Sequence, residues 1–445
     1  MAQAQISNAF TISIDGTALP ADLEPLLVSA DVDDSLNLPD LVILRFRDAE
    51  RTVLAKTNLK IGAKHVVAAT SKASTSPEPL ITAEVTALEA EFDATGTFTV
   101  VRGYDPAHRL FRGRRTETYT QVTASDVAKK VAQRVGLTLG TVDATSTVFD
   151  HVSQAGVSDW EFLDGLAREV GHEVAVKDGK FEFRAPRPAT DAPSQQSAQS
   201  EPLLLRKGSD LLRFRAVVTS AEQVKEVQVR GWDVARKQAL VGTAPAKTRS
   251  AELSGSGVAP TDLAKAFGDP VYVATDVPYR GQSEVDAAAK ALSEQIAGAS
   301  AEFEGTARGN PKIRAGTAIA IDNLGAPFDG KYVVTSSRHS YDQTTGYRTW
   351  RPADDERSGD RPGQRRPRPA APGPGQADLP VAVRRLRQRL GPHRAGRRRQ
   401  GPRLLRAARG RRRGAGGLRA GRHPAPLRGR RPVQRRRHAQ DRSDR

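Results

Sequence analysis

The chain has no cysteine, a single methionine and three tryptophans among its 445 residues, and aromatic side chains make up only 5% of it. The missing cysteine excludes disulfides and thiolate metal sites. No window approaches the roughly 18 uninterrupted apolar residues of a membrane-spanning helix. Ala2–Gln5 after Met1 brings neither a basic nor an apolar leader region, so no signal peptide is expected. From Arg361 to Arg445 there is no Lys, Glu, Ile, Phe, Tyr, Trp, Thr, Asn or Met. A basic arm that binds nucleic acid usually mixes lysine with arginine and spares Ser, Asn or Thr. A segment missing all these types while rich in Arg, Gly, Pro, Leu and Ala has the composition of GC-rich DNA read in the wrong frame.

The same segment distorts the overall charge. The formal net charge is +18, the mark of a nucleic-acid or membrane partner. Residues 351–445, however, hold 30 arginines, no lysine and 7 acidic residues, a net of +23, which leaves residues 1–350 with 39 basic and 44 acidic residues, a net of −5. The body is therefore mildly acidic and long enough for two or three domains.

Phe10–Ile14, Leu41–Phe46 and Phe98–Arg102 alternate apolar and polar residues as half-buried strands do. "DVDDSLNLPD" (Asp31–Asp40) crowds four aspartates before a strand. It lacks the glycine and closing glutamate of a calcium loop, so a solvated turn is expected there. "ASDVAKKVAQRVG" predicts a helix capped by Ser125, with Val127, Val131 and Val135 on one stripe and Gly136 at the end. "SDWEFLDGLAREVGHEVAV" repeats the pattern, with Ser158 or Asp159 as cap, Trp160, Leu163, Leu166, Ala167 and Val170 inward, and Gly171 as the stop. The Asp178-Gly179 turn leads into the strand Lys180–Arg184. "APRPATDAPSQQSAQSEP" (Ala185–Pro202) is a polar linker or long loop. Leu211–Val218 and Val224–Asp233 return to strand, Glu284–Ala297 is a helix capped by Ser283, and further strands run to about residue 350.

Chemical motifs are sparse. There is no HExxH, Walker loop, GxGxxG or GxSxG. The histidines at 65, 108, 151, 172 and 339 lack metal-ligand spacing. His172, just past a helix end, reads as a partly exposed helix-terminal histidine. The body reads as a scaffold rather than a catalyst, and no cofactor, metal site or enzymatic activity is expected.

Four stretches in order carry a family resemblance. "VRGYDPAHRLFRGRRTETYTQVTASDVAKKVA" (Val101–Ala132), "SDWEFLDGLAREVGHEV", "VKEVQVRGWD" and "GNPKIRAGTAIAI…GKYVVTSSRHSYD" together resemble the VgrG and phage late control protein D family over roughly residues 5–350. The residues that carry the motifs are Arg102, Gly103, Tyr104, Asp105, His108 and Arg109, then Asp159, Trp160, Phe162, Leu163 and Gly171, then Gly231, Trp232 and Asp233. The resemblance implies a structural hub under the spike of a contractile injection machine: a phage tail, a type VI secretion system or a related extracellular particle. It implies a homotrimer that meets tail-tube and baseplate proteins on one side and spike or effector proteins on the other, without specific nucleic-acid binding or membrane insertion. Assembly would take place in the cytoplasm before the hub joins its particle. The implied fold is mainly β with an α+β insertion: a first hub β-barrel region (1–119), a small α/β module (120–184), a linker or long loop (185–204), a second hub β-barrel region (205–352) and a disordered Arg-rich tail (353–445).

In that family an OB-fold domain follows the hub. Plausible codons for residues 379–396, 407–427 and 431–442, read one base later, yield stretches that resemble successive parts of that OB-fold in the right order. This places a frame change between Tyr347 and Gly363. Two other readings compete: a nucleic-acid-binding protein that uses the arginine tail, with binding that falls steeply with salt, and a tail-associated hydrolase.

Overall fold

The computed structural model describes residues 10–69, 77–198 and 200–350. The first region forms β1 (Phe10–Ile14), β2 (Thr17–Ala18), β3 (Leu27–Ser35), β4 (Leu41–Arg47), the short helix α1 (Val53–Thr57), β5 (Lys64–Ala69), β6 (Glu78–Asp93) and β7 (Gly96–Tyr104). Alternation sets its inner face. Ala30 and Val32 of β3, Val42, Leu44 and Phe46 of β4, and Val101 of β7 are buried to within 1% and pack into one core with Leu23, Val53 and Val67.

The α/β module contains β8 (Arg115–Thr123), α2 (Ala124–Arg134), β9 (Thr138–Val142), β10 (Val148–Val157), α3 (Asp159–Glu169), β11 (Glu173–Lys177) and β12 (Lys180–Arg184). Its two helices and two small sheets enclose a core that includes Val127, Val131, Trp160, Leu163, Phe181 and Phe183. That core also takes in Ala107 and Leu110, so the module begins structurally before residue 120. Helix α2 is capped by Thr123 rather than Ser125. Thr123 accepts from the Asp126 amide, and Asp126 reaches back to the Thr123 amide. Ser125 is turned inward toward Thr145. Ser158 caps α3 through the reciprocal pair with Glu161. Asp178 and Gly179 both take positive φ (50° and 74°), the type I′ geometry that joins β11 to β12. His172, just past the end of α3, stacks on Phe183 at 5.2 Å and lies 3.0 Å through Nδ1 from the Val170 carbonyl.

The last region forms β13 (Leu204–Arg206), β14 (Leu211–Val218), β15 (Glu226–Asp233), β16 (Gln238–Pro245), β17 (Ala251–Leu253), α4 (Pro260–Lys265), β18 (Val271–Ala274), α5 (Gln282–Gly298), β19 (Ala301–Arg308), β20 (Ala318–Asp322), β21 (Gly330–Val333), β22 (Ser336–Asp342) and β23 (Gly346–Trp350). The segment before it, 185–203, is a long loop pinned by buried Ala189 and Ala192. Helix α5 begins two residues earlier than its apolar stripe suggests. Its N-cap is Gly281 rather than Ser283, and Glu284 in the first turn reaches back to accept from the Arg280 and Gly281 amides.

The first and last regions share one eleven-stranded sheet in the order β14-β19-β23-β22-β3-β4-β7-β6-β5-β1-β2. The joint is the antiparallel β22–β3 pair, which sets Arg338 across from Asp33 and Ser340 across from Asp31. The fold is thus mainly β with an inserted α/β module. The expected tail from residue 353 lies outside the described residues.

Two further sheets, β13-β20-β21-β17 and β16-β15-β18, complete the described structure, and the second carries α5 on one face. Two glycines permit this close approach. A Cβ on Gly242 would stand 2.2 Å from the Val285 carbonyl oxygen, and one on Gly231 would stand 2.7 Å from that of Tyr279. Gly242→Ala should therefore lift α5 and cost about 1–3 kcal/mol, whereas Val241→Ala on the exposed opposite face should be nearly neutral. Urea unfolding midpoints of the two variants check this.

Candidate functional site

The motif residues fall into three separate places. In the first, Arg102 on β7 forms a two-pronged pair with Glu89 of β6 (2.6 and 3.3 Å). Gly103 lies beneath the His65 ring, and a Cβ there would stand 2.3 Å from His65 Cε1. Tyr104 stands across from Leu41 and Glu84. Asp105 caps the 3-10 turn Pro106–Phe111 by accepting from the Ala107 amide (3.2 Å). His108 and Arg109 then converge on Glu84: His108 Nε2 lies 2.9 Å from Oε2, while the Arg109 guanidinium spans both carboxylate oxygens and also donates to the Gly136 carbonyl (3.2 Å). Burial pushes the Glu84 carboxyl up, but the hydrogen bonds from Arg109 and His108 outweigh it and hold it below its ordinary value. This motif is a joint between the main sheet and the module.

In the second place, Asp159 is buried at the start of α3 and accepts from Arg134 (2.6 Å) and Gln154 (2.9 Å). Trp160 stacks on Phe111 at 4.9 Å, Phe162 stacks on Tyr119 at 5.7 Å, and Leu163 is fully buried. Gly171 leaves the helix at φ 70°. In the third, Gly231 admits α5, Asp233 accepts from the Ala235 and Arg236 amides in a turn, and Trp232 is 52% exposed on the outer face of its sheet. The first of these places borders a small cavity of about 160 Å³, lined by Glu84, Pro106 and Arg109 together with Lys64, Gly136 and Thr138. Among the described residues, no cluster of three or more His, Cys, Asp or Glu could hold a metal ion.

The most unusual chemistry lies elsewhere, and it overturns the expectation of a solvated turn at Asp31–Asp40. The first half of that stretch is β3, and its aspartates alternate with the strand. Asp31 and Asp33 take the face opposite Ala30 and Val32, where they bind Ser340 and the Arg338 guanidinium (2.7 Å for one prong). Asp34 points inward with the core residues and is 3% exposed. Its carboxylate accepts from Arg314 Nε (3.2 Å) and from the Ala315 amide (3.0 Å). The same guanidinium reaches Asp178 (3.2 Å) and Asp40 (3.9 Å), while Lys177 donates to the Ala315 carbonyl. Asp105 joins this group through its amide bond to the Asp40 carbonyl (2.9 Å). Parity along β3 was the signal available in the sequence, since inward Asp34 follows Ala30 and Val32 at intervals of two. Nothing local marks Arg314 as its partner.

Three buried carboxyls thus face one guanidinium and one ammonium. Burial, reinforced by Asp34 and Asp105, raises Asp40 well above the carboxylate range, and burial raises Asp105 to about 8. Burial works against charge on Arg314, but Asp34, Asp40 and Asp178 outweigh it, while burial lowers Lys177. The folded state therefore holds a proton on Asp105 that the unfolded chain releases near pH 4, so stability should fall as pH rises toward 8. His65 and His339, depressed by burial to about 4, act with the opposite sense in a lower window: they remove stability as pH falls from 6.5 toward 4. Asp105→Asn keeps a capping oxygen and removes the titrating group. Its urea midpoint should decline less than that of the parent between pH 6.5 and 9, and an unchanged slope would assign the titration to Asp40 or elsewhere.

Two solved tail proteins share this fold. The 43 kDa tail protein of prophage MuSo2 from Shewanella oneidensis superposes with a TM-score of 0.55 at 13% identity, covering 77% of this chain and 97% of that one. The tail protein from Neisseria meningitidis MC58 gives 0.53 at 13% identity, covering 77% and 94%. The E. coli c3393 protein, a component of the type VI secretion system, gives 0.46 at 14% identity, covering 77% of each chain. No curated protein matches the chain in sequence. The likeness to the two tail proteins supports, at the level of fold, the resemblance carried by the four sequence stretches. One family model does match in sequence, and its description names no activity. It is that of the Alg8 N-terminal domain, it spans residues 83–343, more than half of the chain, and the chain belongs to that family.

Proposed function

We propose that the chain is a structural hub subunit of a contractile injection machine, placed between tail tube and spike, and that it works as a trimer without catalysing a reaction. The observation that carries this reading is the fold shared along nearly the whole length of the MuSo2 tail protein. The internal architecture agrees with it. The polar clusters described above join one segment of the chain to another, as an adaptor under mechanical load requires. Among the described residues no helix is long and apolar enough to cross a membrane. The motif residues at 102–109, 159–171 and 231–233 act on this reading as internal joints.

The arginine-rich segment is, on the same reading, the OB-fold domain of the hub translated out of frame. Resequencing across codons 345–365 tests that part separately. An uninterrupted frame would make the arginine arm genuine and favour the nucleic-acid reading.

The hub reading predicts self-association. Light scattering coupled to size-exclusion chromatography on the full chain, in salt high enough to suppress arginine-mediated contacts, should give three times the 48.0 kDa chain mass. A monomer that persists at high concentration would overturn the trimeric hub.

A further inference from the structure

The chain enters the α/β module at Asp105, directly after β7, and leaves it after Arg184 at the end of β12. Both crossings lie at the buried carboxyl cluster. Asp105 donates its amide to the Asp40 carbonyl (2.9 Å), and its carboxyl accepts from the Ala107 amide at the start of the module (3.2 Å). A Cβ on Gly316, two residues after Arg314, would stand 3.2 Å from Lys177 Nζ and 3.4 Å from a guanidinium nitrogen of Arg184, so the exit strand reaches the same place. Arg184 is itself neutralised within the module, by Glu173 (2.9 Å) and Glu182 (2.8 Å). The cluster thus occupies the neck between the sheet and the module.

The charges at this neck balance in one protonation state. Asp34, Asp40 and Asp105 are buried to within 6%, and Asp178, at the tip of the β11–β12 turn, is 65% exposed. Arg314 and Lys177 face them, and Lys177 is the weaker cation because burial lowers it. His339 of β22 lies against the cluster too, but burial holds it down at about 4, so it is neutral from there upward. With protons on Asp40 and Asp105, the two cations meet the carboxylates of Asp34 and Asp178. Without those protons they meet four carboxylates in a space from which water is excluded, and relief then requires water. The cavity of about 160 Å³ lies beside the cluster, since Pro106, next to Asp105, and Gly179, next to Asp178, both line it. Lifting the turn gives up the Arg314–Asp178 and Lys177–Ala315 bonds, but Lys177, Asp178 and Gly179 are not part of the module's apolar core.

We infer that the cluster is a proton-operated latch at the neck of the α/β module: while Asp40 and Asp105 keep their protons the β11–β12 turn stays docked on Arg314, and their ionisation lifts the turn and hydrates the neck while sheet and module each stay folded. The closed state holds the protons and the open state releases them, so opening is favoured as pH rises. Asp105, raised by burial to about 8, sets the range, and loss of the Lys177 charge acts in the same sense. The latch consists of the chain's own groups and does not rest on the hub reading.

The test is amide hydrogen exchange of the full chain at pH 6.5 and pH 9, read by mass spectrometry and corrected for the base-catalysed intrinsic rate. Peptides from the neck, 105–112 and 173–184, should exchange about tenfold or more faster at pH 9 after correction. Reference peptides from β7 (96–102) and α3 (159–169) should follow the intrinsic rate alone. Asp40→Asn/Asp105→Asn removes the titrating pair at nearly constant shape and should flatten most of the rise at the neck. Asp178→Asn suits the same turn, leaves the buried pair untouched and weakens the hold of Arg314. It should raise exchange in 173–184 already at pH 6.5 and keep the further rise to pH 9. Thermal melts verify that each variant is folded, and either one alone suffices. Neck and reference peptides that accelerate in step would show global unfolding and overturn the latch. So would a neck without excess acceleration, an undiminished rise in folded Asp40→Asn/Asp105→Asn, or unchanged exchange at pH 6.5 in folded Asp178→Asn.

Discussion

The arrangement of this chain depends on the ion pair between Arg314 and Asp34. These residues lie 280 positions apart and belong to different regions, and a third region contributes Asp178 and Lys177 to the same place. One guanidinium therefore fixes β3, the β11–β12 turn and the loop before β20 relative to one another. Buried pairs of this kind add little net stability, because desolvation of the charges offsets most of their attraction. What they impose is a penalty on alternatives. Any packing that separates the three regions leaves buried carboxyls without a partner, which is far more costly than an apolar mismatch. Next to this pair, Arg338 and Ser340 bind Asp33 and Asp31 on the other face of β3, so both faces of that strand lock the last region of the chain to the first.

Close backbone approach is the second constraint, and glycine supplies it at two points. Gly103 lets the His65 ring lie against β7, and Gly242 lets the first turn of α5 rest on β16. In each case the space a methyl group would need is already taken by a ring or by backbone. Among the described residues the His65 ring nitrogens have no hydrogen-bond partner, which is consistent with a histidine kept neutral and used for its shape.

Much of this was legible in the chain. The strands at 10–14 and 180–184 follow directly from alternation, and the helices at 124–134 and 159–169 follow from their apolar stripes and terminal glycines. Caps were less legible. Thr123 and Ser125 are chemically equivalent candidates, and the choice fell to the residue whose neighbour three positions on could reciprocate. The aspartate run was misleading for a related reason. Composition alone suggests a turn, since aspartate favours turns and disfavours strands. In β3 that preference was overridden by Arg338, on a strand some 300 residues later, and by Arg314 in the loop before β20.

The sequence by itself determined the local grammar of this protein: which segments are strands and helices, where the glycines interrupt them, and that the composition changes character after about residue 350. Periodicity is a property of neighbouring residues, so it survives without a fold. The partners of the charged residues and the single sheet shared by the first and last described regions were decided only in the tertiary structure. Each depends on register between strands distant in sequence, and register is set by the collective fit of many side chains rather than by any one of them.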